Sequence, residues 1–131
     1  MRSTAKIVLA GMAGIAAGAG GMAAIAAQTA VAPAYYVGNV QSVKDPEAYK
    51  TYTGKVAGTL TPFGGKFIVR GAEPVILDAS RKPPGYIVII QFPGMKELRA
   101  WWDSPVYSSI RPIRERLTTG QNYAVEGLPQ S

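Results

Sequence analysis

The sequence predicts an α+β domain of the split βαβ, or ferredoxin-like, type, with an antiparallel sheet that carries its helices on one face. Strand, helix, a β-rich middle, further helices and a last strand follow one another along the chain, which is the element order of that fold. Two residue pairs, Asp45-Pro46 and Ser104-Pro105, mark helix starts. Asp and Ser are favoured N-caps, and proline is a favoured first helical residue.

The first half of this domain is predicted to form a strand at residues 35–43 and then one long helix. Apolar residues recur along the helix at spacings of three and four, namely Tyr49, Tyr52, Val56, Leu60 and Phe63. This spacing predicts a single apolar stripe that faces the sheet. Gly64-Gly65 ends the helix. Residues 66–70 form a second strand, in which Arg70 shares a face with Ile68 and opposes Phe67.

The middle of the chain contains two further strand patterns. Val75-Ile76-Leu77 predicts a short third strand, and Tyr86–Phe92 is the strongest strand because apolar residues line both of its faces. A strand with two apolar faces is buried on both. The helices of so small a domain cover only one face, so a second subunit is the simplest cover for the other. The sequence therefore predicts a homodimer.

The last third predicts two helices and a final strand. Met95, Leu98 and one of the neighbours Trp101 and Trp102 give the first helix its buried side. Since adjacent helical residues are about 100° apart, one tryptophan is expected in the core and the other partly exposed. After Ser104-Pro105 the apolar stripe is Val106, Ile110, Ile113 and Leu117. Pro112 predicts a kink or restart near Arg111, Gly120 ends the helix, and residues 121–126 form a strand.

The N-terminal segment has the layout of an export signal. Arg2 and Lys6 precede an uncharged stretch at residues 7–27, and Ala24-Ile25-Ala26 fits the small-x-small rule for cleavage after Ala26. The alternative is a retained membrane anchor at residues 7–27, which is long enough to span a bilayer. We therefore expect a signal or anchor at residues 1–26, a lead-in at 27–34, the domain at 35–127 and a tail at 128–131. The protein is expected to be periplasmic, secreted or anchored in a membrane.

Four segments resemble, in order and spacing, the motifs of a known family. They are Asp45–Tyr49, Phe63–Gly71, Gln91–Pro93 and Trp102–Tyr107. Together they resemble the domain-of-unknown-function 1330 family over residues 35–127. The resemblance implies the dimeric α+β barrel superfamily, in which two ferredoxin-like subunits pair sheet against sheet. The family assigns no catalytic residues, and the superfamily includes cofactor-free oxygenases, haem-degrading enzymes, isomerases, dehydratases and ligand-binding members. Its members often lack an export signal, so the N-terminal segment departs from the common pattern.

Composition excludes several classes of chemistry. The chain has no histidine and no cysteine, which removes the Ser-His-Asp triad, thiolate nucleophiles, Fe–S clusters and imidazole-based zinc or haem sites. Its eight acidic residues are scattered without metal-ligand spacing, so we expect no metal and no cofactor. The formal net charge of +6 is modest and dispersed, which argues against nucleic-acid binding.

The candidate ligand-binding residues are aromatic or cationic. Arg114 follows Ile110 by one helical turn and could bind an anion between helix and sheet, or cover apolar surface with its stem. Arg70 could reach an interface or a pocket rim, or form a structural ion pair. The remaining candidates are Trp101, Trp102, Tyr107, Tyr36 and Tyr49, with half-burial in the core as the alternative. Asp103 could act as a base if it were buried, but its position predicts an ordinary polar residue at a helix end.

Three functional hypotheses follow from these residues. The first is an exported homodimer that binds a small anionic or aromatic molecule between helices and sheet. The second, which rests on the superfamily resemblance alone, is a cofactor-independent enzyme of the proton-transfer or oxygenase type. The third is a purely structural dimer with a small, closed interior. A cavity beside Arg114 would separate the first two from the third.

Overall fold

The computed structural model describes residues 31–130, of which Ala32–Pro129 form one compact unit. The signal or anchor predicted for residues 1–27 lies outside the described residues. Within the described part of the chain, none of the helices has the length and apolar character needed to cross a bilayer.

Four antiparallel strands form a single sheet. They are β1 at Ala34–Val43, β2 at Lys66–Ala72, β3 at Tyr86–Phe92 and β4 at Thr118–Glu126. Their spatial order is β2-β3-β1-β4, so the first strand lies at the centre beside the third and the last. This is the split βαβ order, and it confirms the predicted fold class.

The helices pack on one face of the sheet. They are α1 at Pro46–Leu60, extended by a 3₁₀ turn at Thr61–Phe63, then α2 at Met95–Asp103, α3 at Pro105–Ser108 and α4 at Arg111–Leu117. The predicted stripe of α1 is confirmed, since Tyr52, Val56 and Leu60 are buried and the flanking Tyr49 and Phe63 pack against the core. The predicted restart at Arg111 is confirmed as well.

Local capping chemistry explains where the helices begin and end. The Asp45 side chain accepts a hydrogen bond of 3.1 Å from the Ala48 amide. Ser104 Oγ accepts one of 3.2 Å from the Tyr107 amide and donates one of 2.7 Å to the Trp101 carbonyl. Gly64 adopts a φ of 71° at the end of the 3₁₀ turn, a left-handed conformation that glycine adopts without steric cost.

Ser104 joins two helices through these bonds, so its loss is expected to be measurable. Ser104→Ala should lower the free energy of unfolding by about 1 kcal/mol, because the buried Tyr107 amide loses its acceptor. Urea denaturation followed by circular dichroism measures the difference. Ser109→Ala is the matched control, since Ser109 is exposed and only donates to the Val106 carbonyl. Equal stabilities of the two variants would contradict this account of the junction.

The predicted third strand is wrong. Val75-Ile76-Leu77 lies in the irregular connection between β2 and β3, and the side chains of Val75 and Leu77 are 84% and 94% exposed. Both edges of β3 are already occupied, by β1 and β2, and Pro74 has no amide hydrogen to offer a neighbouring strand. Within residues 31–130 this segment pairs with no strand, although the outer edges of β2 and β4 have no partner there.

Two details of the last third also differ from the prediction. Val106 is 47% exposed, while Tyr107 is fully buried and takes the place that the stripe gave to Val106. The Ser104 cap sets the start of α3, and this start turns Tyr107 toward Trp101. Gly120 does not end a helix: α4 ends at Leu117 and Gly120 lies inside β4 with a φ of 143°. A Cβ there would lie 1.8 Å from the Asn39 carbonyl oxygen, so only glycine fits.

Arg70 lies on the same sheet face as Phe67, whereas the predicted alternation placed these two residues on opposite faces. The β2–β3 register shifts between Phe67 and Val69, so Phe67 pairs with Ile90 and Arg70 pairs with Val88. Residues paired across antiparallel strands share a face. The irregularity at Ile68 therefore places Arg70 on the helix-covered face together with Phe67.

Candidate ligand-binding site

A cavity of about 410 Å³ lies between α1, α4 and the sheet. Protein sites for small ligands span roughly 300–1,000 Å³, so this cavity has room for a compact organic molecule. Its apolar wall comes from the interior faces of the strands and α1. The lining side chains that carry polar atoms are Tyr36, Tyr49, Tyr52, Thr53, Arg70, Tyr86, Arg114 and Asn122.

Arg114 is the one buried charged residue among those described, with 6% of its surface exposed. Its Nε donates a 3.3 Å hydrogen bond to the Tyr107 hydroxyl, and its guanidinium carbon lies 5.8 Å from the centre of the Trp102 ring. The ion pairs of residues 31–130 join Lys50 to Glu47 and Arg111 to Glu115. Arg114 therefore lines the cavity as a cation without a carboxylate partner.

A chain of hydroxyl groups surrounds this guanidinium. The Tyr52 and Tyr107 hydroxyls are 2.9 Å apart and share a hydrogen bond, so Tyr107 connects α1 to Arg114. Tyr36 donates to Asn122 Oδ1 across the β1–β4 pair. Tyr49 stacks on Tyr52 with ring centres 5.6 Å apart, which fixes its ring along the cavity wall.

Burial keeps these phenols protonated. Desolvation is the largest cause that raises the pKa of Tyr36, Tyr49 and Tyr52 above the usual 10.0. Burial acts to lower the pKa of Arg114, whereas Coulombic attraction to Tyr36 and Tyr107 in their ionised forms acts to raise it, and the net shift is upward. At neutral pH the buried part of the site thus contains the positive charge of Arg114 and several neutral hydroxyl donors.

The raised tyrosine pKa values predict a loss of stability in alkali. Below pH 10.0, the usual tyrosine value, both folded and unfolded states keep the phenols protonated. Above it the unfolded chain releases protons that the folded chain retains, so stability falls as pH rises. We expect the melting temperature to fall above pH 10, and to fall less steeply in Tyr52→Phe. Tyr86→Phe is the control, because Tyr86 is 54% exposed, and a wild-type melting temperature independent of pH would contradict the prediction.

Arg70 stands at the outer part of the same cavity. Its guanidinium carbon lies 4.3 Å from the centre of the Phe67 ring, and its Nη2 donates a 3.3 Å hydrogen bond to the Thr53 carbonyl. Phe67 and Thr53 both line the cavity. The side chain is exposed, so Arg70 is oriented by the cavity wall while its charge remains accessible to solvent.

The other predicted residues support the cavity without lining it. Trp101 is fully buried in the core and Trp102 is partly exposed, as predicted. Tyr107 is also fully buried, behind Tyr52 and Arg114. Trp102 borders a second, more polar hollow of about 460 Å³, which shares Arg114 and Asn122 with the first cavity. These two residues therefore separate the two hollows.

Among the residues that the structure describes, no carboxylate lines the main cavity. Among residues 31–130, all acidic side chains are exposed except Glu97, which is half-buried. Asp103 is exposed at the end of α2, so the structure gives it no role as a buried base. Within the described residues no cluster of acidic side chains could hold a metal ion. The site can therefore bind and polarise an anion or a carbonyl group through Arg114 and tyrosine hydroxyls.

Among the polar residues that line the cavity, sequence reasoning missed Tyr52, Thr53, Tyr86 and Asn122. Tyr52 was assigned to the core stripe alone, although it follows Tyr49 by three residues and a helix brings such a pair together. Asn122 gave no sequence signal, because its approach to Tyr36 depends on the register of β4 against β1.

The sheet order, the helices on one face and the cavity between them define a ferredoxin-like α+β domain. The chain belongs to the family Domain of unknown function (DUF1330), which it matches over residues 33–128. This confirms the family resemblance found in the four sequence motifs. A search of the curated proteins found no match.

Solved structures share the fold at low sequence identity. A protein of unknown function from Rhodopseudomonas palustris is 17% identical, with a TM-score of 0.60 over 85% of this chain and 94% of its own. SnoaB, a cofactor-independent oxygenase from Streptomyces nogalater, is 13% identical, with a TM-score of 0.51 over 77% of this chain and 97% of its own. These similarities establish the fold and leave the activity to be argued from the site.

Proposed function

We propose that this domain binds a small, largely apolar molecule, with an acidic group of that molecule placed beside Arg114. One observation carries the proposal: within residues 31–130, a buried guanidinium without a carboxylate partner lines a largely apolar cavity. The tyrosine hydroxyls that surround it are donors to the same acidic group.

The energetics of burial support an anionic ligand. A buried cation is costly unless an opposite charge or several hydrogen bonds compensate for its lost hydration. Arg114 has five N–H donors, and among residues 31–130 only its Nε is bonded to a protein acceptor. A carboxylate would supply the missing charge and accept two of the remaining N–H groups in a bidentate arrangement. A phenolate would supply the same charge through a single acceptor oxygen. The aromatic and aliphatic wall would hold the body of the ligand.

A matched pair of ligands tests the proposal on the full-length protein. Isothermal titration calorimetry would compare an aromatic acid, naphthoate, with its neutral amide, naphthamide. We expect the acid to bind at least tenfold more tightly, because only the acid compensates the charge of Arg114. Arg114→Gln should reduce the affinity for the acid by more than about 30-fold, since truncating one partner of a buried charge pair costs 2–5 kcal/mol.

Arg116→Gln is the control for this experiment, because Arg116 lies on the same helix and is exposed. Its affinity for naphthoate should stay within twofold of the wild type. Equal binding of acid and amide, or equal binding by Arg114→Gln and wild type, would refute the proposal. Circular dichroism of each variant shows that the fold is retained.

A second candidate is a cofactor-independent enzyme, favoured by the bonded hydroxyls of Tyr52 and Tyr107 beside Arg114. Protonated phenols and a guanidinium stabilise a negative charge that develops on a substrate oxygen. SnoaB is a cofactor-independent oxygenase of the same fold. Among residues 31–130 no carboxylate in the cavity lining could act as a base. The substrate of such an enzyme would therefore have to be acidic enough to lose its own proton. Oxygen uptake with an acidic phenol, lost in Tyr52→Phe, would favour this candidate, whereas binding without turnover would favour the first.

We also propose that two copies pair through the sheet face opposite to the helices. This face carries a row of apolar residues, namely Tyr35, Val37, Val69, Ile87, Ile89, Tyr123 and Val125. Tyr123 and Val125 are 50% and 44% exposed, and the others are half-buried. An apolar row of this kind on a small domain is typical of an interface.

Light scattering at micromolar concentration tests the pairing. We expect a dimer for the wild type and a monomer for Tyr123→Asp, which places a charge within this apolar row on β4. Val106→Asp introduces the same charge at a 47% exposed valine on the helix side and should remain dimeric. A monomeric wild type would contradict the proposal.

Export of the protein remains a proposal that rests on residues 1–27. Expression of the full-length chain with cell fractionation and N-terminal sequencing distinguishes its two forms. A soluble periplasmic product that begins at Ala27 supports cleavage after Ala26, and a full-length product in the membrane fraction supports an anchor. A full-length cytoplasmic product would contradict both.

A further inference from the structure

Two arginines without ion-pair partners share the main cavity. Arg114 is 6% exposed and lies at its buried end, whereas Arg70 is exposed and lies at its outer part. The ion pairs of residues 31–130 include neither of them. The cavity therefore has a positive charge at each of two positions that differ in depth, and no lining carboxylate offsets either charge.

Arg70 is held in place more firmly than most exposed arginines. Its guanidinium lies over the Phe67 ring and donates to the Thr53 carbonyl. The register shift at Ile68 brings Arg70 to this face, since regular alternation would have turned it away from the cavity. Less side-chain entropy is lost on binding when a donor group is already oriented. The remaining N–H groups of Arg70 are available to an acceptor at the outer part of the cavity.

We propose that the cavity selects molecules with two acidic groups at opposite ends of an apolar body, the inner acid beside Arg114 and the outer acid beside Arg70. This inference rests on the proposed function and specifies the class of ligand. The cavity that both arginines line also includes Val56, Phe67, Val88 and Ile90 in its wall, which suits an aromatic or aliphatic body. The acidic group beside Arg114 supplies most of the affinity because that site is desolvated. The acidic group beside Arg70 supplies the selectivity for a dicarboxylate over a monoacid.

Three probes on the full-length protein test the inference. They are naphthoate, a naphthalene dicarboxylate with its acid groups at opposite ends, and the shorter benzene dicarboxylate with para acid groups. We expect at least one dicarboxylate to bind two- to fivefold more tightly than its own monoacid, which is the range of an exposed ion pair. This preference should vanish in 1 M salt, where the Debye length is about 3 Å, because the Arg70 site is exposed.

Substitution of each arginine separates the two acids. Arg70→Gln should abolish the preference for the dicarboxylate, and it should lower the affinity for the monoacid by less than it lowers that for the dicarboxylate. Arg70→Lys keeps the charge and should keep part of the preference. Arg81→Gln, a substitution at an exposed basic residue outside the cavity lining, should behave as the wild type.

The outcomes distinguish this inference from the function on which it rests. If Arg114→Gln abolishes binding of the monoacid but no dicarboxylate is preferred, or the preference survives Arg70→Gln, the two-acid inference is refuted and the proposed function stands. If Arg114→Gln leaves every affinity unchanged, or no probe binds to the wild type, both are refuted.

Discussion

Trp101→Ala is expected to lower the free energy of unfolding by about 3–5 kcal/mol, the range for deletion of a fully buried large aromatic side chain. Trp101 has no exposed surface. Its ring centre lies 4.1 Å from that of Tyr107, 5.3 Å from that of Phe92 and 5.4 Å from that of Tyr36. Removing the indole leaves a cavity among α2, α3 and the sheet, because three rings on different elements cannot all move into the space.

The indole nitrogen of Trp101 also contributes to the free energy of unfolding through a hydrogen bond. Trp101 Nε1 donates a 2.9 Å hydrogen bond to Thr59 Oγ1 in α1. Thr59 also donates to the Val56 carbonyl at 2.7 Å, so its hydroxyl keeps one partner in the variant. The expected loss therefore comes mainly from the lost packing, and Trp101→Phe should lose less than the alanine variant.

Urea denaturation followed by circular dichroism measures these losses. Trp102→Ala is the matched control, since its neighbouring ring is partly exposed and contacts Arg111, whose guanidinium lies 4.5 Å from the ring centre. We expect Trp102→Ala to cost less than half as much. If Trp101→Ala does not fold, the comparison of Trp101→Phe with Trp102→Phe still ranks the two positions. Equal losses at both positions would contradict the assignment of Trp101 as the centre of the core.

The features that the sequence predicted well are those encoded by neighbouring residues. Asp45-Pro46 and Ser104-Pro105 each specify a helix start through one side-chain hydrogen bond and one restricted φ angle. The strand Tyr86–Phe92 was predicted with its observed bounds, because seven consecutive residues of strand type leave little ambiguity. Together with the element order, these local signals were enough to give the fold class.

The predictions that were wrong concern features that depend on contacts between distant parts of the chain. Val75–Leu77 has the composition of a strand, but whether it pairs depends on which sheet edges are free. The face occupied by Arg70 depends on a register shift that alternation cannot show. Gly120 is required by the approach of Asn39 from a neighbouring strand, whereas its position after a helical stripe suggested a helix end.

The candidate site was predictable only in part for the same reason. Arg114 and Tyr49 could be named because each lies beside an apolar helical stripe. That the two helices bring Arg114, Tyr107 and Tyr52 into one hydrogen-bonded chain follows from tertiary packing. That no carboxylate of residues 31–130 lines the main cavity beside Arg114 is likewise a property of the assembled structure, and it makes this buried arginine a candidate anion site.

Arg114→Met is expected to have opposite effects on binding and on stability. Methionine replaces the aliphatic stem and removes the charge, so an apolar side chain fills the buried position. Replacing buried charges by apolar residues of similar volume often stabilises a protein by 1–4 kcal/mol. We expect a gain of about 1–2 kcal/mol in the free energy of unfolding without ligand, while affinity for an aromatic acid falls as it does in Arg114→Gln.

The expected gain in stability depends on whether removal of the Arg114 guanidinium leaves neighbouring groups without hydrogen-bond partners. The Tyr107 hydroxyl keeps its hydrogen bond with Tyr52, so no buried hydroxyl is left without a partner. Asn122 keeps its bond from Tyr36. The change therefore removes a desolvated charge without creating a new unsatisfied group. Arg116→Met, at an exposed position of the same helix, should change stability by less than about 0.5 kcal/mol.

A ligand should reverse the order of stabilities. A ligand that binds only the folded state adds about 2.7 kcal/mol when its concentration is 100 times its dissociation constant. Wild type with a saturating aromatic acid should then melt above Arg114→Met in the same buffer, although it melts below the variant without the acid. If Arg114→Met is less stable than the wild type in the absence of any ligand, the protein itself already compensates the charge of Arg114. If the protein compensates the charge of Arg114 in this way, Arg114 needs no anionic ligand and its role is structural.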